Sequence, residues 1–371
     1  MKVICPKCFA ETESDKLYYV CVHAGCARED MPVLPEAATA AEGERSATSA
    51  KHRACIACGD PLLVRVCPAC GFTIREAGKP GAAAEEKALP ISIVGSEGCG
   101  KSNFLSVLIN QIRQEMAESY QCALYPRGGD ATINRYKQIY YTPLFVEGQC
   151  VPSTEQEDVA PLEYSLRFTK TEQAHHLVFY DACGANFHDE RTMADYNRSI
   201  YHSKGLFLFL DPTQLPYLRE QAITRKWPRN EGDIGALLAR SIQLIRHASG
   251  QSTGKLKVPV AVCLTKLDMI RPLLPPASFL RHPSRHADGV FDVNDHTACS
   301  MEVRSLIESW DGVDLVNQIT SQFESVAFFA FSALGSSPAA GNRIQRISPH
   351  RVLDPLLWLL WRNSIIPSKK A

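Results

Sequence analysis

A glycine-rich segment near residue 100 constrains this chain more strongly than any other stretch. From Gly95 to Ser102 the sequence reads G-S-E-G-C-G-K-S, which fits the phosphate-loop pattern G-x-x-x-x-G-K-[S/T]. The apolar run 91–94 predicts a buried strand before it, and apolar residues at helical spacing across 103–119 predict a helix after it. A strand, a glycine loop and a helix in this order predict a nucleotide-binding site.

The loop also predicts which groups contact the nucleotide. Its glycines allow backbone N–H groups to face the phosphates, and the N-terminus of the helix adds a partial positive charge. We expect Lys101 to reach the β- and γ-phosphates and the Ser102 hydroxyl to take one position on Mg²⁺. Cys99 is expected to be a packing residue rather than a reactive thiol. The expected contacts in this loop are Gly95, Ser96, Glu97, Gly98, Cys99, Gly100, Lys101, Ser102 and Asn103.

The overall composition narrows the class of partner. Lys and Arg together number 40, as do Asp and Glu, so the zero net charge gives no general attraction to nucleic acid or to an anionic membrane. No secretory signal is visible at the N-terminus, and the longest apolar run, 356–361, is too short to span a membrane. We therefore expect a cytoplasmic protein that binds protein partners rather than nucleic acid or membranes.

The cysteines of the N-terminal region predict metal binding. Fourteen cysteines are present, and eight of them form closely spaced pairs within the first 70 residues. In a reducing cytoplasm such pairs favour metal sites over disulfides. Segment 1–30 predicts a zinc-knuckle module, in which His23 is an alternative to one cysteine, and segment 55–74 resembles a zinc ribbon. The expected Zn²⁺ ligands are Cys5, Cys8, Cys21 and Cys26 at the first site and Cys55, Cys58, Cys67 and Cys70 at the second.

The rest of the chain predicts one α/β domain. Segments 31–54 and 75–88 have the composition of linkers, so the nucleotide-binding domain is expected to occupy 89–371. Strands that alternate with helices predict a doubly wound, mostly parallel sheet. The apolar C-terminal helix is expected to pack on this core, with docking to a partner or a membrane surface as the alternative. The expected strands are 91–94, 162–169, 176–180, 205–210, 258–264 and 326–331, and the expected helices are 103–119, 131–141, 234–247, 301–323 and 352–361.

Three short motifs follow predicted strands, at the edge where such sheets bind ligands. The D-x-x-G of 181–184 resembles the GTPase element whose Asp holds Mg²⁺ and whose Gly N–H meets the γ-phosphate. The T-K-x-D of 265–268 resembles the guanine-reading element, since a carboxylate can accept hydrogen bonds from guanine N1–H and the exocyclic amine. The S-A of 332–333 resembles the last element, in which a backbone N–H contacts the guanine oxygen. The expected guanine contacts are Thr265, Lys266, Asp268, Ser332, Ala333 and Leu334.

Each of these motifs has a purely structural alternative. Asp181 could cap a turn, Asp268 could be a helix N-cap, and Ser332 could be only a loop residue. His175 and His176, on the strand that ends at Asp181, are expected to be structural rather than catalytic.

The residues for hydrolysis are only partly defined. GTPases usually place a Mg²⁺-binding threonine before the second strand; Thr154 is our choice, and Thr142 is the alternative. Many small GTPases follow D-x-x-G with Gln to orient the attacking water, but here Ala185 stands in that place and Asn186 follows. Alanine can neither donate nor accept a hydrogen bond, so we expect slow hydrolysis. The expected catalytic residues are Lys101, Thr154, Gly184 and Asn186, and the expected Mg²⁺ ligands are Ser102, Thr154 and Asp181.

This set of motifs resembles the translation-factor-like (TRAFAC) P-loop GTPases across about residues 89–335. More narrowly, the cysteine-rich N-terminus, the D-x-x-G motif and the late D-P-L-L-W of 354–358 resemble the bacterial double-GTPase group. That resemblance implies GTP or GDP with Mg²⁺ as ligands, and a place in conflict or defence systems in which two GTPases are encoded together. Members of the group usually carry Glu where this chain has Ala185, a difference that bears on catalysis more than on nucleotide binding.

The function expected from the sequence is therefore a regulatory GTPase. GTP·Mg²⁺ would order the loops around Thr154 and Gly184, and the zinc modules would link that switch to a protein partner, such as a second GTPase or an activating protein. One alternative, motivated by Ala185, is a GTP-bound scaffold with little turnover. The other is a zinc-ribbon nucleic-acid factor, against which the neutral charge and the scarcity of aromatic residues count.

Overall fold

The computed structural model of the protein describes residues 2–5, 11–13, 18–20, 58, 64–69, 73–76, 88–127, 130–153, 161–181, 200 and 202–369. The chain divides into two compact units. One unit is Met1–Glu86 with Arg127–Ala131, and the other is Lys87–Pro126 with Thr132–Ala371.

The smaller unit is built from short strands. Strand β1 (Lys2–Ile4) pairs antiparallel with β2 (Glu11–Glu13), and β3 (Tyr18–Val20), β4 (Val64–Val66) and β5 (Thr73–Glu76) form a three-stranded antiparallel sheet. Since β3 lies within segment 1–30 and β4 within segment 55–74, the two predicted zinc modules share one sheet. Strand β5 runs into the predicted linker 75–88.

The larger unit contains a seven-stranded sheet with the spatial order β12-β11-β10-β6-β9-β8-β7. The five strands from β12 to β9 run parallel, and β8 is antiparallel to both of its neighbours. This arrangement confirms the mostly parallel sheet expected from the sequence. The strands are β6 (Ala88–Val94), β7 (Cys122–Pro126), β8 (Leu162–Phe168), β9 (Ala174–Asp181), β10 (Gly205–Leu210), β11 (Val260–Leu264) and β12 (Val326–Ala330).

Helices connect these strands. The helix after the glycine loop, α1 (Lys101–Gln111), continues through a π-helical stretch, Ile112–Met116, and ends with Ala117–Ser119. The others are α2 (Asp130–Arg135) with a π-helical continuation Tyr136–Val146, α3 (Pro216–Arg225), α4 (Ile234–Ser249), α5 (Leu267–Ile270), α6 (Val293–Ile307) with Glu308–Gly312, α7 (Val313–Gln322) and α8 (Asp354–Arg362). Short 3₁₀ turns are Pro212–Gln214, Arg271–Leu273 and Phe279–Arg281.

The single helix predicted over 301–323 is wrong in one respect, because the structure breaks it between α6 and α7. Trp310 and Asp311 leave helical geometry, and Asp311 adopts a left-handed conformation with φ 64°. Asp tolerates this region better than most residues, because its short side chain can bond locally. Gly312 then packs so tightly that a Cβ there would lie 2.6 Å from the Ile307 side chain.

Both faces of the sheet are buried, which explains the continuous apolar runs in its strands. Every residue of β10 is buried, although its sequence, G-L-F-L-F-L, does not alternate with polar residues. Its three leucines lie in one hydrophobic cluster and its two phenylalanines in the other. Alternate side chains of a strand point to opposite faces, so each cluster fills one side of the sheet.

Helix α8 packs on the core of its unit, as the sequence favoured. Residues 356–360 are all buried. A Cβ on Gly205 of β10 would lie 2.4 Å from Leu359, so the helix contacts the sheet directly. Among the residues that the structure describes, no helix has the length and apolarity needed to cross a bilayer.

Candidate nucleotide-binding site

The glycine loop joins the end of β6 to the start of α1, as predicted. Gly98 and Gly100 have φ values of 73° and 95°, which side chains rarely adopt. Gly95 is required for a different reason, because a Cβ there would lie 2.7 Å from Cys99 Sγ and 2.9 Å from Phe209 Cβ. The three glycines therefore set a loop whose backbone curls ahead of the α1 N-terminus.

Lys101 is held by the loop itself. Its Nζ donates to the carbonyl oxygens of Gly95 at 2.8 Å and of Ser96 at 2.9 Å. Lys101 is 6% exposed, and an ammonium group has three N–H donors. Its Nζ also lies 3.9 Å from Cys99 Sγ, so the loop holds this cation through two backbone carbonyls and one longer contact to sulfur. Cys99 is fully buried, and burial raises the pKa of its thiol, which agrees with a packing role.

Asp181 lies next to the strand that leads into the loop. Strand β9 pairs with β6, and Asp181 stands opposite Ile93. Its Oδ2 accepts a hydrogen bond at 3.1 Å from the hydroxyl of Tyr140, a buried residue that the sequence analysis did not select. Hydroxyl and carboxylate oxygens are ligands that Mg²⁺ prefers, so Ser102 and Asp181 fit the expected metal.

The remaining predicted phosphate-side residues are only partly described. Thr154, Gly184 and Asn186 lie outside the described residues, and their roles stay predictions. The alternative Thr142 belongs to the helical stretch Tyr136–Val146 rather than to a loop, and its carbonyl accepts from Glu147 N–H.

The segment before Thr154 is anchored beside the phosphate loop. The side chain of Asn103 accepts the N–H of Val151 at 2.9 Å. Cys150 N–H donates to the carbonyl of Asn342 at 2.9 Å, so this segment also contacts the stretch after the last strand. Asn103 is adjacent to Ser102 in α1, and the anchor therefore starts next to the expected Mg²⁺ ligand.

The predicted guanine-reading residues meet beyond the ends of β11 and β12. Asp268 Oδ1 accepts a hydrogen bond from Ser332 Oγ at 2.5 Å, and Ser332 Oγ accepts from Gly335 N–H at 2.8 Å. Asp268 lies inside the first turn of α5, whose N-cap is Lys266, so Asp268 is not an N-cap. Ser332 bonds directly to Asp268, and its role in guanine binding stays a prediction.

One detail of the last motif differs from expectation. The Ser332 N–H donates to the carbonyl of His350 at 3.1 Å, and His350 N–H donates back at 2.8 Å. The Ser332 N–H is therefore already bonded within the protein. Of the three predicted residues of this motif, Ala333 and Leu334 remain the candidates for the expected contact to the guanine oxygen.

Lys266 has a partner that sequence reasoning missed. Its backbone is left-handed, with φ 52°, and its Nζ pairs with Asp211 Oδ2 at 2.6 Å. Asp211 is fully buried, and its other oxygen accepts from both the N–H and the hydroxyl of Thr213, at 2.9 and 2.7 Å. In the sequence, only the position of Asp211 directly after a predicted strand, now β10, pointed to it.

His176, on the strand that ends at Asp181, has a structural role. His176 Nε2 and Glu163 Oε2, on the adjacent strands β9 and β8, are 2.9 Å apart. Glu163 is 5% exposed, so this pair satisfies a buried carboxylate within the sheet.

The structure describes three of the eight expected zinc ligands. Cys5 and Cys67 are buried and Cys58 is exposed. Ala69 N–H donates to Cys67 Sγ at 3.4 Å, an N–H···S contact that fits the knuckle of a thiolate metal site. Both zinc sites stay predictions, because the other ligands lie outside the described residues: Cys8, Cys21, Cys26, Cys55 and Cys70.

A second polar cluster in the larger unit has metal-like donors but does not fit a metal. His286, Asp295 and Asp354 offer ligand atoms within 4.8 Å of one another. Arg351 donates to both carboxylates, at 2.9 and 2.8 Å, and supplies the positive charge between them. His286 Nδ1 accepts from Asp292 N–H at 3.0 Å, so the neutral ring carries its proton on Nε2. Burial lowers the pKa of His286 and favours that neutral ring.

Three comparisons relate this chain to known proteins. The family described as Double-GTPase 2 matches residues 89–320, which is more than half of the chain. SaeC of Mycolicibacterium smegmatis, whose name gives ESX-1 scaffolding and assembly as its hypothesised role, is 27% identical over 326 residues, covering 80% of this chain and 79% of SaeC. The bacterial selenocysteine-specific elongation factor EF-Sec shares 12% identity over 66% of this chain and 26% of its own, with a TM-score of 0.28, too low to support a comparison of folds.

Proposed function

The chain belongs to the Double-GTPase 2 family, and on that premise we propose that it binds GTP with Mg²⁺, hydrolyses it slowly and uses bound nucleotide to control assembly with a protein partner. The observation that carries this proposal is the pairing of Asp268 with Ser332 at the ends of two adjacent parallel strands. Those strand ends form the edge at which doubly wound sheets bind ligands.

The chemistry of Asp268 supports guanine over adenine. A carboxylate has about four acceptor positions, and Ser332 uses one of them. The others can accept from guanine N1–H and from its exocyclic amine. Adenine offers no donor at N1 and no amine at C2, so the same carboxylate would stay desolvated without a partner. Ser332 fixes the carboxylate before the base arrives, which lowers the cost of ordering it.

The phosphate side supports a triphosphate ligand with Mg²⁺. Lys101 would approach the β- and γ-phosphates from its two carbonyl anchors, and the loop amides and the α1 N-terminus would add further positive potential. Ser102 and Asp181 would hold Mg²⁺, which supplies charge neutralisation of the phosphates when it is bound. Zinc bound by the N-terminal cysteines would build the module that contacts the partner.

A second candidate function is a scaffold that binds GTP with almost no turnover. Ala185 favours it, because this residue cannot orient an attacking water. The name of the relative SaeC points to scaffolding and assembly as well, although that name describes SaeC and not this chain. In this alternative the nucleotide stabilises one conformation and acts as a structural ligand.

Calorimetric titration of GTP, GDP and ATP into the Mg²⁺-containing protein tests the nucleotide assignment. Tight binding of GTP and GDP with at least about tenfold weaker ATP binding is the expected result. In the Asp268→Asn protein, the amide oxygen can still accept from guanine N1–H. Its amide N–H, however, faces the N–H of the exocyclic amine, and two donors cannot bond to each other. Xanthosine triphosphate has a carbonyl at that position, so this variant is expected to prefer it over GTP.

Asp314→Asn is the matched control, because Asp314 is an exposed residue of α7. It should bind nucleotides as the parent does. Equal affinity of the parent for ATP and GTP, or an Asp268→Asn protein that still prefers GTP, would refute guanine recognition. A single-turnover time course then separates the two candidates, since measurable hydrolysis supports a switch and none over many hours supports the scaffold.

A further inference from the structure

A loop that follows α3 contacts the phosphate loop directly. Within this loop, 227–233, the side chain of Asn230 donates from Nδ2 to the carbonyl of Glu97 at 2.8 Å. Its Oδ1 accepts from Ser96 Oγ at 3.0 Å and from Gly232 N–H at 2.9 Å. Asn230 is 7% exposed, so one buried amide group is satisfied almost entirely by the phosphate loop and its own loop.

The close approach of the two loops depends on a glycine. A Cβ on Gly232 would lie 2.4 Å from the Cβ of Ser96, closer than any side chain permits. The carbonyl of Gly232 also accepts from Gln214 Nε2 at 2.7 Å, which holds this loop from its other side. The 227–233 loop is therefore a fixed brace against residues 96 and 97.

The contact fixes the orientation of one peptide in the phosphate loop. A trans peptide points its carbonyl and its N–H to opposite sides, so a Glu97 carbonyl held by Asn230 directs the Gly98 N–H the other way. Lys101 already holds the carbonyls of Gly95 and Ser96. With three successive carbonyls bonded within the protein, the N–H groups of residues 96–98 point away from these bonds and can form a concavity that binds anions.

The same asparagine is linked to the guanine-reading lysine. Asn230 N–H donates to Thr213 Oγ at 2.9 Å, and that hydroxyl donates to Asp211 Oδ1 at 2.7 Å. The other oxygen of Asp211 receives Lys266 Nζ at 2.6 Å. Asp211 and Thr213 are both fully buried, so this chain of hydrogen bonds is shielded from water.

We propose that Asn230 is a positioning residue that aligns the phosphate loop and couples it to the guanine-reading Lys266 through Thr213 and Asp211. The assignment rests on the proposed function and deepens it. A base seated on the Lys266 stem stabilises one position of Asp211. That position keeps Thr213 and Asn230 in place, and the Glu97–Gly98 peptide then stays aligned for the phosphates.

The test combines two variants with a matched control. Asn230→Ala is expected to weaken both GTP and GDP binding about tenfold, because it removes the bond that orients the loop. Asn294→Ala removes an exposed asparagine of α6 and should leave binding unchanged. Thermal melting without nucleotide checks that each variant is folded. The ³¹P NMR spectrum of bound GDP should shift in Asn230→Ala and not in Asn294→Ala, a change that a purely structural role would not cause.

A double-mutant cycle with Lys266→Met tests the coupling. The combined loss of GTP affinity in the double variant should be smaller than the product of the single losses, by about threefold or more. The role of Asn230 would be overturned if Asn230→Ala bound GTP within twofold of the parent, or if the losses of the two single variants simply multiplied. Either result would leave guanine recognition intact. A parent protein that binds no guanine nucleotide would overturn both the proposed function and this role for Asn230.

Discussion

Replacing Arg351 by methionine is expected to destabilise the larger unit by about 3 to 5 kcal/mol. The Arg351 side chain is buried, and all five N–H donors of a guanidinium have acceptors here. Asp295 accepts two of these bonds, at 2.9 and 3.1 Å, and Asp354 accepts one at 2.8 Å. The carbonyls of His282 and Pro283 accept the other two, at 3.0 and 3.2 Å.

The magnitude follows from what the substitution leaves behind. Burial alone would raise the pKa of Asp295, but the hydrogen bonds and the charge of Arg351 lower it. Methionine fills similar volume and removes the only cation that bonds both Asp295 and Asp354 among the described residues. At 2 to 4 °C per kcal/mol for a unit of this size, the melting temperature should fall by roughly 6 to 20 °C.

Thermal and urea unfolding at neutral pH measure this loss. Arg351→Lys should lie between the parent and Arg351→Met, because an ammonium offers three donors for five acceptors. Arg346→Met, an exposed arginine just before this cluster, is the control and should change stability by less than about 0.5 kcal/mol. A melting temperature for Arg351→Met equal to that of Arg346→Met would refute the argument that this guanidinium joins α8 to α6.

Three further outcomes are expected. Gly95→Ala places a Cβ 2.9 Å from that of Phe209 and should abolish measurable GTP binding by calorimetry while the protein stays folded by circular dichroism. Lys266→Met leaves the fully buried Asp211 without its cation, so both GTP affinity and unfolding free energy should fall, the latter by about 1 to 3 kcal/mol in urea melts. Burial lowers the pKa of His296 from 6.5 to about 4, so the unfolded chain binds the proton before the folded chain does as the pH falls. The free energy of unfolding should therefore drop by about 2 kcal/mol from pH 7 to pH 5, and His296→Phe should remove most of that drop.

The sequence predicted the central strands well because both faces of this sheet are buried. Such strands appear as short, continuous apolar runs, as in β10 and β11. The expected strands did not include β7, an edge strand that ends in Pro126 and has one buried residue, Cys122. The sequence also failed to predict α3, in which only Leu218 and Ala222 are buried, so that almost no apolar periodicity marks the helix.

The site was predictable where one short segment supplies its own geometry. The glycines of the phosphate loop permit its left-handed backbone, and Asp268 meets Ser332 because both follow neighbouring strands. Contacts between distant residues have no such local signature. Asn230 lies 134 residues from Ser96 along the chain, yet their side chains form a hydrogen bond. No sequence pattern around Asn230 predicts this contact.

These distant contacts join two halves of the site that the sequence motifs treat as separate. Asp211 follows β10, the strand between the one that leads to the phosphate loop and the one that leads to the segment proposed to read guanine. A carboxylate at that strand end can bond to one side through Lys266 and to the other through Thr213 and Asn230. The order of parallel strands therefore gives a physical reason why base and phosphate binding should be coupled. A chain with Ala185 could then respond to occupancy of the site even when hydrolysis is slow.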